Sequence, residues 1–533
     1  MGAAVFGRGL RRRLRGWLVL LLLVLVALRC LLAQPQPGPA DPLQRIPADA
    51  GQQSVVLRAQ LLADPRPDPA SQRCRALAQL DGGRTELQFS PCPHLQQGWI
   101  LQLEGQLRRL TPAPHPLLSG AAERLQRQGV YTALQVEQWQ LLRRPATPLA
   151  DLRRRMAAAL QGRGGADAGG VLAALVLGSA VVPLPLAVRE AFRAAGLSHA
   201  LAASGFHLTV LLGAVMALGR LAPPPLRWLL AGGAMGLFLL LAGPQPSVVR
   251  AVLMGAMAFA VQESGRRSRP LGVLLLCVLL MLLVRPDWLL DVGFQLSVAA
   301  TAGLMVSARP LQQWLQEQHL PVWFSAALAV PVAASLWTLP LQLLHFGALP
   351  LVAVPANLLV SPLLTPLTLG AMAMALAAVI LPPLLPLLSW LLVPLAQLLV
   401  WLVQQLAALP MAQWQLGRLL PLLAALLLSG LLPWLVPALR RWRGWGTALV
   451  GLAIGSHLLQ LWGDQLLLVQ AGPRQWLLAR HQGRAALISR RADGLSCSRA
   501  RQLAQVLGVP RLDWLLLLDP MPAEQPEIGR AHV

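Results

Sequence analysis

Apolar residues fill long unbroken stretches of this chain, and polar residues collect between them. Nine stretches near residues 228–243, 248–262, 271–284, 292–307, 322–339, 351–381, 384–409, 419–439 and 446–462 read as membrane-crossing helices. About 20 residues rising 1.5 Å each cover the hydrocarbon core of a bilayer. Two more apolar runs join them, Gly16 to Ala33 and a segment ending near Leu218, for about 11 crossings in all. The arginine-rich run at residues 8–15 places the N-terminus in the cytoplasm and reads as the flank of an uncleaved anchor. With that count, Arg220 and Arg227, then Arg266, Arg267 and Arg269, then Arg309, then Arg440, Arg441 and Arg443 fall on the same side as the N-terminus.

Two stretches break the apolar pattern. Residues 34–150 are Pro- and Gln-rich at first and then show partial period-two alternation at 54–62, 85–89, 99–110 and 134–142. Such short strands predict a small barrel. Phe89, Trp99, Tyr131 and Trp139 are its aromatics, serving either as core or as a stacking surface. After Trp462 the chain predicts strands at 465–470, 475–480, 485–489 and 513–518 and a helix at 498–507. Between the barrel and the bundle, 148–163 is Arg-rich and amphipathic, and 166–185 is expected to lie in the membrane plane.

The stretch Leu197 to Leu211, LSHALAASGFHLTVL, organises the rest. It begins an apolar segment, yet carries His199, Ser204, Gly205 and His207. Polar groups at bilayer depth need partners or a wet cavity. Ser204 and His207, three apart, share a helix face. They either knit helices together, with Gly205 allowing close approach, or line a polar pathway. Arg250 sits early in an apolar span. Asp287, Asp291 and Gln295, spaced by four, predict one stripe on a helix, and Arg250 with Asp291 is a candidate ion pair. Gln295, Ser297 and Asn357 are deeper. A path for phosphodiesters needs donors, so Ser204, Gly205, His207, Arg250, Gln295, Ser297 and Asn357 are better candidates than the two aspartates. No ligand spacing supports a metal site from His199, His207 and Asp291. The stretch 351–381 contains Pro355, Asn357, Pro362 and Pro366 and is either a broken helix lining a cavity or a Pro-kinked packing helix.

Composition agrees with the pattern. The chain has 533 residues, 55% hydrophobic and 13% charged, with a mean hydropathy of +0.56. That is a membrane composition. The net charge of +23 is carried by arginine alone. It fits either positive-inside topology or a nucleic-acid partner. The five cysteines form no metal-type cluster. Cys74 and Cys92 flank a strand in a region read as exported, which makes them a candidate disulfide.

FRAAGLSHALAASGFHLTVL resembles the signature of the ComEC family, competence channels that pass single-stranded DNA across the bacterial inner membrane. SVVRAVLMG, RPDWLLDVGFQLSVAATAGL and LPLQLLHFGALPLVAVPANLLVSPL resemble that family in the same order. The resemblance runs from about residue 168 to 410. It implies an inner-membrane channel for single-stranded DNA in natural transformation, multi-pass, with no cofactor. The implied partners are single-stranded DNA, membrane lipid, a DNA receptor and a cytoplasmic helicase. It also implies an OB-like barrel at 34–150, and a metallo-β-lactamase-like domain after Trp462 whose His- and Asp-rich loop holds metal ions in the family.

The expected architecture is therefore mainly α. It comprises an anchor at 1–33, an exported barrel at 34–150, an interfacial segment at 151–196, a transmembrane domain at 197–462 and an α/β piece at 463–526. After the last strand of that piece the chain reads DPMPAEQP, without histidine, so no catalytic residues are assigned. The final EIGRAHV reads as a sequencing-adapter scar, with the α/β domain cut off near Pro526. The competing readings are a membrane-bound metal-dependent nuclease lacking its metal loop, and a transporter of another solute.

Overall fold

A computed structural model of the chain describes residues 36–519, except 48–49, 69–72, 116–117, 119, 266–268, 436, 472–473, 483, 491–493 and 510–511, and also describes 25 and 28–29. Most of the expected anchor, Arg266, Arg267 and everything after Asp519 lie outside the described residues. The chain is mostly helical, with a barrel near its N-terminus and several apolar helices.

The barrel is built from β1 (Gln52–Leu61), a short β2 (Arg66–Asp68), β3 (Arg73–Leu80), β4 (Gly83–Phe89), β5 (Ile100–Arg109) and, after helix α1 (Ala121–Arg127), β6 (Val130–Arg143). Five strands close in the order β1-β5-β6-β4-β3, with β3 returning to β1 and β2 added outside β3. β4 and β6 run parallel and the other neighbours antiparallel. Closure removes free sheet edges. Alternation puts Leu57, Leu87, Phe89, Leu101, Leu103 and Leu134 inside, each fully buried side chain contributing about 1.5–3 kcal/mol. At Gly105 the β5–β6 register shifts, and a Cβ there would lie 2.0 Å from the Gln135 carbonyl oxygen. Only glycine fits that bulge. Cys74 on β3 is joined to Cys92 in the loop after β4, with Cα atoms 5.1 Å apart.

The helical part follows as α2 (Pro148–Gly164), α3 (Gly170–Leu177), α4 (Leu186–Ala194), α5 (Ser198–Leu201), α6 (Gly205–Leu218), α7 (Pro224–Ala242), α8 (Pro246–Glu263) and α9 (Pro270–Val284). It continues with α10 (Val292–Gly303), α11 (Arg309–Glu317), α12 (Val322–Phe346), β7 (Ala348–Pro350), α13 (Ala353–Ile380), α14 (Leu385–Ala407), β8 (Gln413–Gln415), α15 (Pro421–Leu435) and α16 (Arg443–Trp462). Each of the nine hydropathy windows from 228 to 462 coincides with one of these helices. α7, α12, α13 and the helix ending at Ala407 are long and apolar enough to cross a membrane, and α6, α9 and α15 are shorter apolar helices. Their exposed faces carry leucine and tryptophan, as a lipid-facing surface requires.

Two expectations need correction. The organising segment is not one helix: Ala202 and Ser204 are extended, so α5 ends and α6 starts afresh at Gly205. Asp287, Asp291 and Gln295 do not form one helical stripe. Asp287 lies in a 3-10 turn at Pro286–Leu290, and Asp291 is the N-cap of α10, accepting from the Phe294 N–H at 2.8 Å. α3 is buried on every side between α2 and α13, because all eight of its residues are apolar or glycine. The stretch 351–381, left open between two readings, is one continuous 28-residue helix with Pro362 and Pro366 inside it.

The C-terminal piece has β9 (Gln465–Ala471), β10 (Arg474–His481), β11 (Arg484–Ser489), α17 (Gly494–Leu507) and β12 (Trp514–Leu517), in the sheet order β12-β11-β10-β9. β11 and β12 are parallel, as a crossover through α17 demands. Trp476, Leu478, Leu487 and Leu503 form its core, and Leu118, from the connection between β5 and α1, is buried in the same cluster. The buried Arg480 holds this piece to the bundle. It donates to the carbonyls of Leu507, at the end of α17, of Gln460 in α16 at 2.6 Å, and of Gly463 at 3.3 Å.

Candidate functional site

The break between α5 and α6 shapes the site. Ala203 gives its carbonyl to Ser247 Oγ of α8 at 3.0 Å instead of continuing a helix. Ser204 takes the N-cap position, but its hydroxyl is 3.1 Å from His207 Nδ1 and bonds no backbone N–H. The first-turn N–H groups of a helix have no intrahelical acceptor. Among the described residues, no acceptor pairs with the N–H groups of Gly205, Phe206 and His207. His207 is fully buried, and its Nε2 has no partner among the described residues.

Arg250, one turn into α8, is 8% exposed. Its Nη1 donates to Thr301 Oγ1 of α10, whose hydroxyl in turn donates to the Ser297 carbonyl at 2.8 Å. Its Nη2 lies 3.8 Å from where a Cβ on Gly205 would stand. Arg250 and Asp291 are not paired. The α10 cap holds Asp291, and Thr301 takes the guanidinium. Ser204, Gly205, His207 and Arg250 therefore form one cluster. Ser297 touches it only through its carbonyl.

Asn357 lies on α13, donating to the Ala353 carbonyl at 2.7 Å. Ser361, one turn on, donates to the Asn357 carbonyl and is exposed. Gln295 belongs elsewhere. Its Oε1 is 2.7 Å from His345 Nε2 and its amide donates to the Leu289 carbonyl at 2.8 Å. Arg418 donates through Nε and Nη2 to the His345 carbonyl, and Arg127 of α1 to the Leu290 carbonyl at 3.0 Å. This second cluster ties the barrel's helix to the end of the bundle. His345 and Thr301 were missed in the sequence. A lone histidine in the last turn of an apolar helix was the available signal for His345. A threonine in an apolar helix more often bonds its own turn, so nothing marked Thr301.

On the barrel, Arg75, Gln88, Gln135 and Gln106 lie directly opposite one another across β3, β4, β6 and β5 and so share a face. Arg108 joins them, with Nη2 2.5 Å from Gln88 Oε1. Burial and then Arg73 hold the Arg108 guanidinium below the usual arginine pKa, Glu86 opposes the shift, and Arg75 adds to it. Of the aromatics, Phe89 is core, Trp99 lies under Arg144 at 4.6 Å, Tyr131 is half-buried and Trp139 is exposed. Among the described residues no group of three or more His, Cys, Asp or Glu could hold a metal ion.

Long apolar helices, a polar cluster at a broken helix and two attached β-containing domains define a helical membrane protein. Residues 175–441 match the Competence protein family, and the chain belongs to it. It is similar to ComE operon protein 3 of Bacillus subtilis (strain 168), 27% identical over 279 residues, which is 51% of this chain and 35% of that protein. It is also similar to the uncharacterized protein YcaI of Escherichia coli (strain K12), 29% identical over 214 residues, 36% of this chain and 28% of that protein. The match thus spans about a third of each relative's own length. No solved structure matches the chain.

Proposed function

We propose that this chain serves DNA uptake in competence, as an inner-membrane channel that carries single-stranded DNA toward the cytoplasm. The family match carries the reading. The cluster of Ser204, Gly205, His207 and Arg250 inside an apolar bundle supports it, because a moving phosphodiester needs donors that replace its water without holding it. The barrel's closed strand order and parallel β4–β6 pair support an OB-like domain, and its Arg/Gln face suits a phosphate backbone. A DNA receptor and a cytoplasmic helicase are the partners such a channel requires.

α7, α12, α13 and the helix ending at Ala407 are long and apolar enough to cross, the shorter apolar α6, α9 and α15 add to them, and the remaining proposed crossings, α8, α10, α16 and the expected anchor, rest on the hydropathy pattern that gives about 11. Leu118 in the C-terminal core supports a shared side for the barrel and the C-terminal piece, outside the cytoplasmic membrane. The strand order there supports a metallo-β-lactamase-like beginning, to which we assign no catalysis.

The test is uptake of labelled DNA by a deletion strain carrying this gene. His207→Leu and Arg250→Leu are expected to abolish protection of incoming DNA from external nuclease while surface binding and membrane protein level stay normal. Normal transport at normal abundance in either variant removes that residue from the path. A fall in transport no larger than the fall in abundance assigns it a packing role.

A further inference from the structure

We infer that the N-terminus of α6 is a seat for a single phosphate-type oxyanion, with Arg250 as its side wall. The inference rests on the channel reading for its biological ligand, but its geometry stands by itself. α6 is 14 residues long, so its N-terminus carries a substantial fraction of positive charge. Ser204, the residue that would ordinarily satisfy the first turn, is turned to His207 instead. The open N–H groups and the dipole make the first turn a ready anion site.

Arg250 is the independent observation. Its guanidinium is buried beside this positive end, where a cation raises the free energy unless an anion lies between. Nε is buried without an acceptor, and no acceptor for Nη2 occurs among the described residues, while Nη1 is used by Thr301. Among the described residues Arg250 makes no ion pair, and Asp291 caps α10 instead. An oxyanion against Gly205 would meet backbone N–H groups on one side and a charged fork on the other. Gly205 keeps the space: apart from its chain neighbours and the backbone of α6, only Arg250 Nη2 and the Ala251 Cβ among the described residues come within 4.0 Å of a methyl built there.

The matching chemistry is one phosphate oxygen pair, supplied by a phosphodiester of nucleic acid, by free phosphate or by an anionic lipid headgroup. The experiment uses the full chain in a neutral detergent and follows unfolding by tryptophan fluorescence. Inorganic phosphate is compared with chloride at equal ionic strength. The expected result is a raised midpoint in the wild type that is lost in Arg250→Gln and in Gly205→Ala. In Gly205→Ala the added methyl would stand at ordinary contact distance, 3.8 Å from Nη2, so the fold is kept while the seat is filled. Non-specific stabilisation by phosphate acts equally on all three proteins and cancels.

Losing a charge-assisted hydrogen bond predicts at least about tenfold weaker phosphate binding in Arg250→Gln. An equal shift in both variants, or no shift in the wild type, overturns the seat. A single-stranded oligothymidine and phosphatidylglycerol nanodiscs then identify the source. If phosphate binds through Gly205 and Arg250 but oligothymidine affinity ignores both, the seat stands and its place in a DNA path falls. If oligothymidine binds and phosphate does not report on these residues, the seat falls and the channel reading stands.

Discussion

Gly303 of α10 shows how one atom governs the packing of two helices. A Cβ there would stand 2.4 Å from the Trp337 ring of α12, whose indole N–H donates to Ser307 Oγ at 2.8 Å. Gly303→Ala must displace that indole or part the helices. It is expected to cost about 1–3 kcal/mol by overpacking, seen as a lower thermal midpoint in detergent. Gly232 of α7 is the control, because nothing lies within 4 Å of its added Cβ. Gly232→Ala should leave the midpoint unchanged or raise it slightly, as alanine is the better helix former. A matching fall in both would show that the Trp337 contact is not what limits Gly303. The polar residues follow the same logic at this scale. The sequence marked Arg250 and His207 as groups in need of partners. It did not name Thr301 or Ser204 as the ones they find, because several hydroxyls compete and only the helix placement chooses among them.

At the scale of elements, the barrel owes part of its stability to the Cys74–Cys92 link between β3 and the loop after β4. The cysteines are separated by 18 residues, a span whose constraint is worth about 3 kcal/mol through the unfolded chain. Cys92→Ser is expected to lower the barrel's resistance to urea by about that much, and two free thiols in the oxidised protein would rule the link out. The C-terminal sheet is held differently. Arg480 donates to carbonyls at the ends of α17 and α16, and the Arg418 backbone N–H donates to the Val506 carbonyl in the last turn of α17 at 2.7 Å. Arg480→Met keeps the stem but leaves the carbonyls that Arg480 serves without that donor, at about 1–3 kcal/mol each where they stay dry. Limited proteolysis should then release the piece after Trp462 more readily than from the wild type. Equal cleavage would mean that the Trp476 core, not Arg480, docks the sheet. Element positions were largely legible here, since period-two strands and long apolar windows each admit one kind of element. The end of α5 was not. LAAS carries no proline or strong breaker, and it is the Ser247–Ala203 bond across to α8 that competes with the helix.

At the scale of the molecule, the barrel, the Gln295–His345–Arg418 junction and the C-terminal sheet meet at one end of the bundle. Cysteine labelling from outside the cell should therefore reach both the barrel and the C-terminal sheet, and a cytoplasmic signal from residues near 100 would overturn the proposed topology. The full chain should also leave DNA intact with manganese. Degradation above a mock preparation would restore the nuclease reading. Composition, apolar spans, strand alternation and the uneven distribution of arginine belong to the sequence itself, because each depends only on what a residue costs in lipid, in a pleat or at a helix end. The break before Gly205, the burial of α3, the exchange of Asp291 for Thr301 beside Arg250 and the junction at His345 were decided only by tertiary structure. In each case a polar or apolar group had several affordable partners, and the geometry of distant helices selected one.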